Sequence, residues 1–247
     1  MKPTISPVGD CAISIDFGQV IDPKVNRQIR QVIEQIKVLQ LDGIIELVPT
    51  YCALLVQYDA MVYTYSDICR ILDPILQESV TDSVIERVMI VEIPTVYGGE
   101  FGPDLGFVAS HNHLSEAEVV SIHSGTDYLV YMLGFIPGFT YLGGMDSRIA
   151  TPRLSSPRTL IPAGSVGIAG EQTGTYPSDS PGGWQIIGRT PVTMYDMSKK
   201  QAALLQAGDY VRYVPINENE FHRIKLLGSN YIPSMYEVEV GELRGYK

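Results

Sequence analysis

The stretch YMLGFIPGFTYLGGMDSRIATPRLSSPRTLIPAGSVGIAGEQTGTYPSDSPGGWQIIGRTP, residues 131–191, sets the character of the second half of the chain. Residues 134–191 hold 11 of the 23 glycines and 7 of the 16 prolines of the chain. Glycine and proline specify tight turns, and far more of them are present than the strands of a compact barrel need for their own turns. The stretch therefore predicts short strands joined by loops of specified shape.

Strand patterns dominate the chain after residue 95. Apolar runs bounded by turn residues predict strands at 128–135, 163–170, 183–190, 192–196 and 209–216, with an edge strand at 235–240. A run of strands of this kind favours a barrel or a sandwich. We therefore predict a β-barrel domain over residues 96–247.

Two helices are predicted among these strands. KKQAALLQAG, residues 199–208, has helical composition, and LSEAEVVSIHSG, residues 114–125, has the Ser115 and Glu118 spacing of a capping box. His123 lies near the end of the second of these helices, where a positive charge is favoured.

The first 95 residues alternate strands and helices and form a second predicted domain. The predicted strands are 11–18, 44–51, 52–59 and 87–94, and the predicted helices are 22–43 and 66–79. Asp22 and Ser66 are the expected N-caps, and Pro74 predicts a kink or an early end of the second helix. The order β-α-β-β-α-β is that of the ferredoxin-like unit, although the strand at 87–94 could instead open the next domain. The predicted class is α+β.

Composition excludes several classes of protein. The 247 residues carry a formal net charge of -10 and no run of Lys or Arg, which argues against nucleic-acid binding. No apolar run has the length of a signal peptide or a membrane helix, so we expect a cytoplasmic protein without membrane contact. Cys11, Cys52 and Cys69 form no CxxC pair and are expected to be reduced and mostly buried.

Arginines and aromatic residues make residues 134–191 a candidate site. This segment contains Arg148, Arg153, Arg158 and Arg189 but no lysine. The flat guanidinium suits bidentate binding of a carboxylate or phosphate, but arginines also brace loops by binding carbonyl groups. The aromatic residues, Trp184 among them, are either pocket walls or barrel core.

Short motifs give weaker signals. AGSVG places Ser165 in an incomplete nucleophile-elbow pattern, and a structural serine is favoured because the strand continues beyond it. His111 and His113 have the spacing of two metal ligands but lack a third, so we predict no metal site.

Three carboxylates among the apolar loops, Asp146, Glu171 and Asp179, are either acid–base groups or turn caps. No P-loop or dinucleotide fingerprint is present, so any ATP site is of another type or belongs to another chain.

Several long segments together resemble one known family. They are GDCAISIDFG, PTVYGGEFGPDL, GFIPGFTYLGG, TPRLSSPRTLIPAGSVGIAGEQTGTYPSDSPGGWQIIGRTP and LLQAGDYVRY, and they cover nearly the whole chain in order. They are similar to the signature segments of the family that contains the 5-oxoprolinase B subunit, KipI and allophanate hydrolase subunit 1. The resemblance implies a small α/β domain, residues 1–95, followed by a cyclophilin-like β-barrel.

The resemblance also implies a function. It predicts the B subunit of an ATP-dependent 5-oxoprolinase, inactive alone, which converts 5-oxo-L-proline to L-glutamate together with subunits A and C. ATP would be consumed by the complex. The alternatives are a KipI-type inhibitor of a sensor histidine kinase and a carboxyltransferase-type subunit similar to part of urea carboxylase.

The resemblance transfers no catalytic roles. The residues that we expect to line a substrate pocket shared with the C subunit are Arg153, Arg158, Gln172, Thr173, Gly174, Tyr176 and Trp184.

Overall fold

The computed structural model describes residues 3–77 and 87–245. The chain divides into two compact units, residues 1–84 and 85–247. The border that we predicted near residue 95 falls inside a long strand, Arg87–Tyr97, whose pairing partners all belong to the second unit. The unit border therefore precedes this strand.

The first unit is a four-stranded antiparallel sheet with two helices. Its elements are β1 (Thr4–Pro7), β2 (Ala12–Asp16), α1 (Pro23–Val38), β3 (Ile44–Pro49), β4 (Ala53–Tyr58) and α2 (Tyr65–Gln77). The strand order is β1-β2-β4-β3. The ferredoxin-like unit is not confirmed, because the N-terminal strand β1 occupies the position beside β2 that a strand following α2 would fill.

Helix α1 follows its apolar periodicity. Asp22 caps it by accepting the Lys24 N–H at 2.7 Å, and Pro23 needs no intrahelical donor at this position. The predicted face is buried over Ile29–Ile36. The helix ends at Val38, short of the predicted end at residue 43.

Helix α2 begins differently from the prediction. The Thr64 hydroxyl accepts the Asp67 N–H at 3.2 Å, and the Asp67 carboxylate accepts the Thr64 N–H at 3.1 Å. Thr64, rather than Ser66, is therefore the cap. The helix continues through Pro74 to Gln77, so an early end is not observed, and the predicted end at residue 79 lies outside the described residues.

The second unit contains one large sheet and one small one. The strands of the unit are β5 (Arg87–Tyr97), β6 (Asp127–Leu133), β7 (Thr140–Gly143), β8 (Arg158–Ile161), β9 (Ser165–Ala169), β10 (Gln172–Thr175), β11 (Ser180–Gly182), β12 (Gln185–Arg189), β13 (Tyr210–Pro215) and β14 (Met235–Glu239). Its helices are α3 (Leu105–His111), α4 (Glu116–Ser124) and α5 (Glu218–Leu227).

Eight of these strands form a nearly closed barrel. The order is β10-β9-β12-β5-β13-β6-β7, and β14 also pairs with β5. The two end strands, β7 and β10, lie against each other. The pairing of β5 with β13 is parallel and the other pairings in this sheet are antiparallel. The predicted β-barrel is thus confirmed at this level, and β8 and β11 form a separate two-stranded sheet.

Two predictions between β12 and β13 were wrong. Residues 192–196 are not a regular strand, and residues 199–208 are not a helix. The two segments instead lie side by side: Leu204 N–H donates to the Met194 carbonyl at 2.9 Å, and Asp196 N–H donates to the Ala202 carbonyl at 2.8 Å. This pairing buries Met194 and Leu205, which outweighs helical propensity.

Two smaller expectations concern the burial of the cysteines and the length of the helices. Cys11, Cys52 and Cys69 carry free thiols, but Cys11 is exposed and the other two are half-buried, so the prediction of mostly buried cysteines was wrong. Across residues 3–77 and 87–245, none of the helices combines the length and apolarity that crossing a bilayer requires.

Candidate functional site

Two arginines of the loop-rich segment have hydrogen-bond partners within the chain. The Arg148 guanidinium binds both carboxylate oxygens of Asp146, with the shortest contact at 2.7 Å. Arg189 donates to the Ala163 carbonyl at 2.9 Å. The loop-bracing interpretation is therefore confirmed for Arg189, whereas Arg148 is paired with a neighbouring carboxylate rather than with a carbonyl group.

Arg158, a predicted pocket residue, also has a structural partner. It donates to one carboxylate oxygen of Asp104 at 2.7 Å and to the Trp184 carbonyl at 3.3 Å. The other oxygen of Asp104 accepts the Ile186 N–H at 2.6 Å. Arg158 thus ties β8 to the start of α3 and to β12, and its charge is already compensated.

Arg153 differs from the other three arginines. It is exposed, and within the described part of the chain its side chain has no hydrogen bond or ion pair. Its charge acts on the nearby phenol of Tyr176, which is 2% exposed. Burial raises the pKa of Tyr176 to about 12, against the opposing effects of Arg153, a Trp184 backbone hydrogen bond and Arg158. Tyr176 therefore stays a neutral O–H donor at neutral pH.

Three of the predicted pocket residues, Gly174, Tyr176 and Trp184, meet in a cluster of aromatic side chains. The Phe139 ring lies edge-on to Tyr141, Tyr176 and Trp184, with centroids 5.4, 5.8 and 5.7 Å apart. Gly174 lies beneath them, since a Cβ there would be 3.3 Å from Trp184 and 3.4 Å from Phe139. The cluster is buried, which confirms the core interpretation for these rings.

Strand alternation sends Thr173 to the opposite face. Thr173 pairs with Ile168, whose side chain belongs to the barrel core. Its hydroxyl donates to the Gly167 carbonyl at 3.0 Å and lies 2.8 Å from Nε2 of His123. Thr173 is thus separated from the aromatic cluster by its own strand. Gln172 is half-buried at the start of β10.

His123 contradicts the expectation of a favoured positive charge. It is fully buried, and burial lowers its pKa to about 3. Its Nδ1 lies 2.7 Å from the hydroxyl of Tyr97, and the hydroxyl of Tyr128 donates to its backbone carbonyl at 2.8 Å. Desolvation outweighs the helix dipole here, so the imidazole is neutral.

The β6–β7 loop presents a strained aromatic residue. Phe135 has φ +65 and is 66% exposed. Ile136 N–H donates to the Gly134 carbonyl at 2.8 Å across it, which closes a γ-turn of the rare positive-φ form. A shallow depression of about 320 Å³ is lined by residues 133–138. A bulky residue in this conformation persists only where its surroundings hold it.

The serine and histidine motifs of the sequence show no catalytic or metal-binding geometry in the described residues. Ser165 is buried at the start of β9, and the strand continues beyond it, as expected. His111 and His113 are exposed, and His111 stacks on Phe107 with centroids 5.9 Å apart. Within the described ranges, no group of three His, Cys, Asp or Glu side chains is placed to hold a metal.

The three loop carboxylates differ in their contacts. Asp146 accepts the Arg148 N–H at 2.9 Å, and Asp179 accepts the Ala163 N–H at 2.7 Å. This confirms the turn-cap interpretation for Asp146, whereas Asp179 ties its own loop to a residue 16 positions earlier. Glu171 is exposed in the β9–β10 turn.

Two features were not predicted as functional. The chain of contacts from Tyr97 to His123 to Thr173 joins residues separated by 26 and 50 positions, which no local pattern can show. The strained Phe135 had a local signal, because it stands between Gly134 and Pro137 in a turn-rich segment.

Comparison with known proteins agrees with this architecture. A family model described as the carboxyltransferase domain, subdomain C and D, matches residues 3–205. The 5-oxoprolinase B subunit of Bacillus subtilis (strain 168) is 46% identical over 231 residues, which are 90% of this chain and 96% of that protein.

Solved structures show a similar fold. The crystal structure of TTHA0988 is 34% identical with a TM-score of 0.73, over 83% of this chain and 40% of that chain. The urea amidolyase of Kluyveromyces lactis is 22% identical with a TM-score of 0.78, over 96% of this chain and 16% of that chain, and at this identity it supports the fold alone. The membership predicted from the signature segments is confirmed: this chain belongs to the family of the carboxyltransferase domain, subdomain C and D.

Proposed function

We propose that this chain is the B subunit of an ATP-dependent 5-oxoprolinase that converts 5-oxo-L-proline to L-glutamate together with subunits A and C. The observation that carries the proposal is the 46% identity to a 5-oxoprolinase B subunit over 96% of that protein. The proposal includes a cyclophilin-like architecture for the barrel and a cytoplasmic location.

Arg153 supplies the anion-binding group of the proposed site. It is exposed without a carboxylate partner among the described residues. A guanidinium can bind a carboxylate through two parallel hydrogen bonds. We assign Arg153 to the carboxylate of 5-oxo-L-proline, while Tyr176, which is 2% exposed, belongs to the packed aromatic cluster.

The reaction explains why several subunits are needed. A lactam carbonyl is a poor electrophile. Transfer of the terminal phosphoryl group of ATP to its oxygen would activate the carbonyl carbon for attack by water, after which the C–N bond breaks, the nitrogen leaves as the protonated amino group and an acyl phosphate forms. A second water hydrolyses the acyl phosphate to L-glutamate and phosphate. Such a site must hold two anions and keep bulk water away from the phosphoryl group until it is transferred. The Arg153 surface is open to solvent, so we propose that the C subunit covers it and that the isolated chain is inactive. ATP is consumed by the assembled complex.

Reconstitution tests the function and the site separately. The purified chain is mixed with subunits A and C, ATP and 5-oxo-L-proline, and glutamate and ADP are measured. We expect activity only in the complete mixture. Arg153→Ala should lower kcat/KM about 10- to 100-fold, the usual effect of losing one hydrogen bond to a charged group.

Arg148→Ala is the matched control. It removes the same charge from another exposed arginine, whose partner is Asp146, and should leave kcat/KM unchanged. If the wild-type mixture forms no glutamate, the proposed function is wrong. If it does and Arg153→Ala retains full kcat/KM, the function stands and the assignment of the carboxylate site is wrong.

A carboxyltransferase role is the second candidate. The family model carries that description, and the fold is shared with a urea amidolyase. This role predicts that the chain, with its partner subunit and a carboxylated biotin derivative, transfers the carboxyl group to an acceptor amide. Loss of carboxybiotin without 5-oxoproline-dependent ATP hydrolysis would favour it over 5-oxoprolinase activity.

A further inference from the structure

A buried chain of hydrogen bonds crosses the interior of the barrel. It runs from the Tyr97 hydroxyl on β5 to His123 on α4, then to Thr173 on β10 and the Gly167 carbonyl on β9. The three contacts measure 2.7, 2.8 and 3.0 Å. It therefore links a helix to both strands of the β9–β10 pair.

The direction of each hydrogen bond follows from the donors available. Thr173 has one hydroxyl hydrogen, which it donates to Gly167, so its oxygen must accept the proton of His123 Nε2. A neutral imidazole with Nε2 protonated leaves Nδ1 as an acceptor. Nδ1 therefore accepts the hydroxyl hydrogen of Tyr97, and every group in the chain is satisfied.

The Gly167 end of this series of hydrogen bonds lies beneath the aromatic cluster. Gly167 pairs with Gly174 across the two strands. A Cβ on Gly167 would lie 3.3 Å from Cβ of Trp184, and a Cβ on Gly174 would lie 3.3 Å from its ring. The two glycines thus form a flat floor beneath Trp184. A shift of β10 toward or away from the barrel axis would move that floor.

We propose that His123 is a positioning residue: as a neutral imidazole protonated at Nε2, it holds Thr173 and so fixes the β9–β10 pair against Trp184 and Tyr176. The role of the pair in substrate binding rests on the function proposed above, but the position of Trp184 does not. Two readouts therefore separate the two claims.

The first readout needs only the purified chain. Trp184 is the sole tryptophan, so its fluorescence and its quenching by acrylamide report on this floor. We expect Thr173→Val to raise the quenching constant at least about twofold by loosening the contact, since a buried acceptor for His123 is lost. Thr173→Ser, which keeps the hydroxyl, should restore the wild-type value.

Thr175→Val is the matched control. Thr175 lies two residues along β10, and its buried hydroxyl contacts the Tyr213 hydroxyl at 2.9 Å. The Tyr213 ring packs on His123 with centroids 4.7 Å apart, but Thr175 makes no hydrogen bond to the imidazole. It should leave Trp184 quenching unchanged although it also removes a buried hydrogen bond. Equal quenching in the two valine variants would overturn the positioning role.

The second readout combines the tautomer with kinetics. In the isotope-labelled chain, the imidazole nitrogens of His123 should show the Nε2–H tautomer, and an Nδ1–H tautomer or an imidazolium would contradict the chain of bonds. In the reconstituted complex, Thr173→Val should raise KM for 5-oxo-L-proline about tenfold, and Thr173→Ser should rescue it. If the wild-type complex is inactive, quenching and tautomer still decide the proposal.

Discussion

The β9–β10 pair has two faces of opposite chemistry. The inner face carries Thr173, bonded to His123, among the apolar side chains of the barrel core. On the outer face, Gly167 and Gly174 lie beneath Trp184, and Ala169 packs in the same aromatic cluster. A buried aromatic side chain removes about 150–250 Å² from water, worth roughly 4–6 kcal/mol, whereas a net hydrogen bond is worth about 1 kcal/mol. The outer face thus supplies stability, and the inner face fixes position because its bonds are directional.

The largest expected effect comes from removing the outer face. Trp184 is 8% exposed, and its ring packs on Phe139 and Tyr176. Trp184→Ala should lower the free energy of unfolding by about 3–5 kcal/mol, the range for buried aromatic residues. Urea-induced unfolding followed by circular dichroism measures it. A decrease in the free energy of unfolding of less than about 1 kcal/mol would show that the cluster is not a core and that the two faces do not differ in their contribution to stability.

The inner face should make stability depend on pH. The pKa of His123 is lowered by burial to about 3, and its ordinary value is about 6.5. Below pH 6.5 the unfolded state takes up a proton that the folded state does not, so stability is complete above pH 6.5 and falls as the pH falls toward 3. The expected loss between about pH 7 and pH 5 is about 2 kcal/mol from this group alone.

The variant His123→Gln isolates this contribution. Glutamine keeps a donor for Thr173 but does not titrate. The difference between wild type and variant in urea unfolding should follow the titration of one histidine, because the side chains around it are Tyr97, Tyr128 and Tyr213 rather than acids or cations. A difference that stays flat from about pH 7 to pH 5 would mean that His123 is protonated in the folded protein.

The smallest effect is expected where the aromatic face meets solvent. Phe135 touches Phe139 edge-on at 5.6 Å but is 66% exposed with φ +65. Phe135→Gly relieves the strained conformation and adds freedom to the unfolded chain, and these terms nearly cancel. The free energy of unfolding should change by less than about 1 kcal/mol in the same urea assay. A decrease in the free energy of unfolding of more than about 2 kcal/mol would show that the Phe135 ring is part of the aromatic core.

The parts that sequence predicted well are those with local causes. Helix α1 has a cap at Asp22, Pro23 in its first turn and an apolar face of helical period, and each acts within a few residues. The capping box of α4, Ser115 with Glu118, is equally local and is present. Six of the eight barrel strands were recognisable because apolar runs end at glycine or proline, whereas the two end strands, β7 and β10, were not predicted.

The parts that sequence missed depend on distant partners. Residues 199–208 have helical composition, but hydrogen bonds to residues 194–196 pull them into an irregular paired loop. The sequence correctly placed His123 at a helix end, where a positive charge is favoured. Its pKa is nevertheless lowered by burial, which depends on residues distant in sequence. Of the predicted pocket residues, Thr173 points away from the others because the β-strand alternates. The family resemblance gave a candidate site region but not the division of its residues between two faces of the strand pair.

The long strand β5 has a consequence for how the protein is made. The strands of the first unit, β1 to β4, all lie within residues 4–58, so their partners are synthesised close together in time. Strand β5, by contrast, waits for β13 and β14, which follow it by more than a hundred residues. Pairing over such a separation is slow. We therefore expect the first unit to fold during synthesis while the edges of β5 are still unpaired, so that this strand stays exposed to wrong partners for longer than β1 to β4.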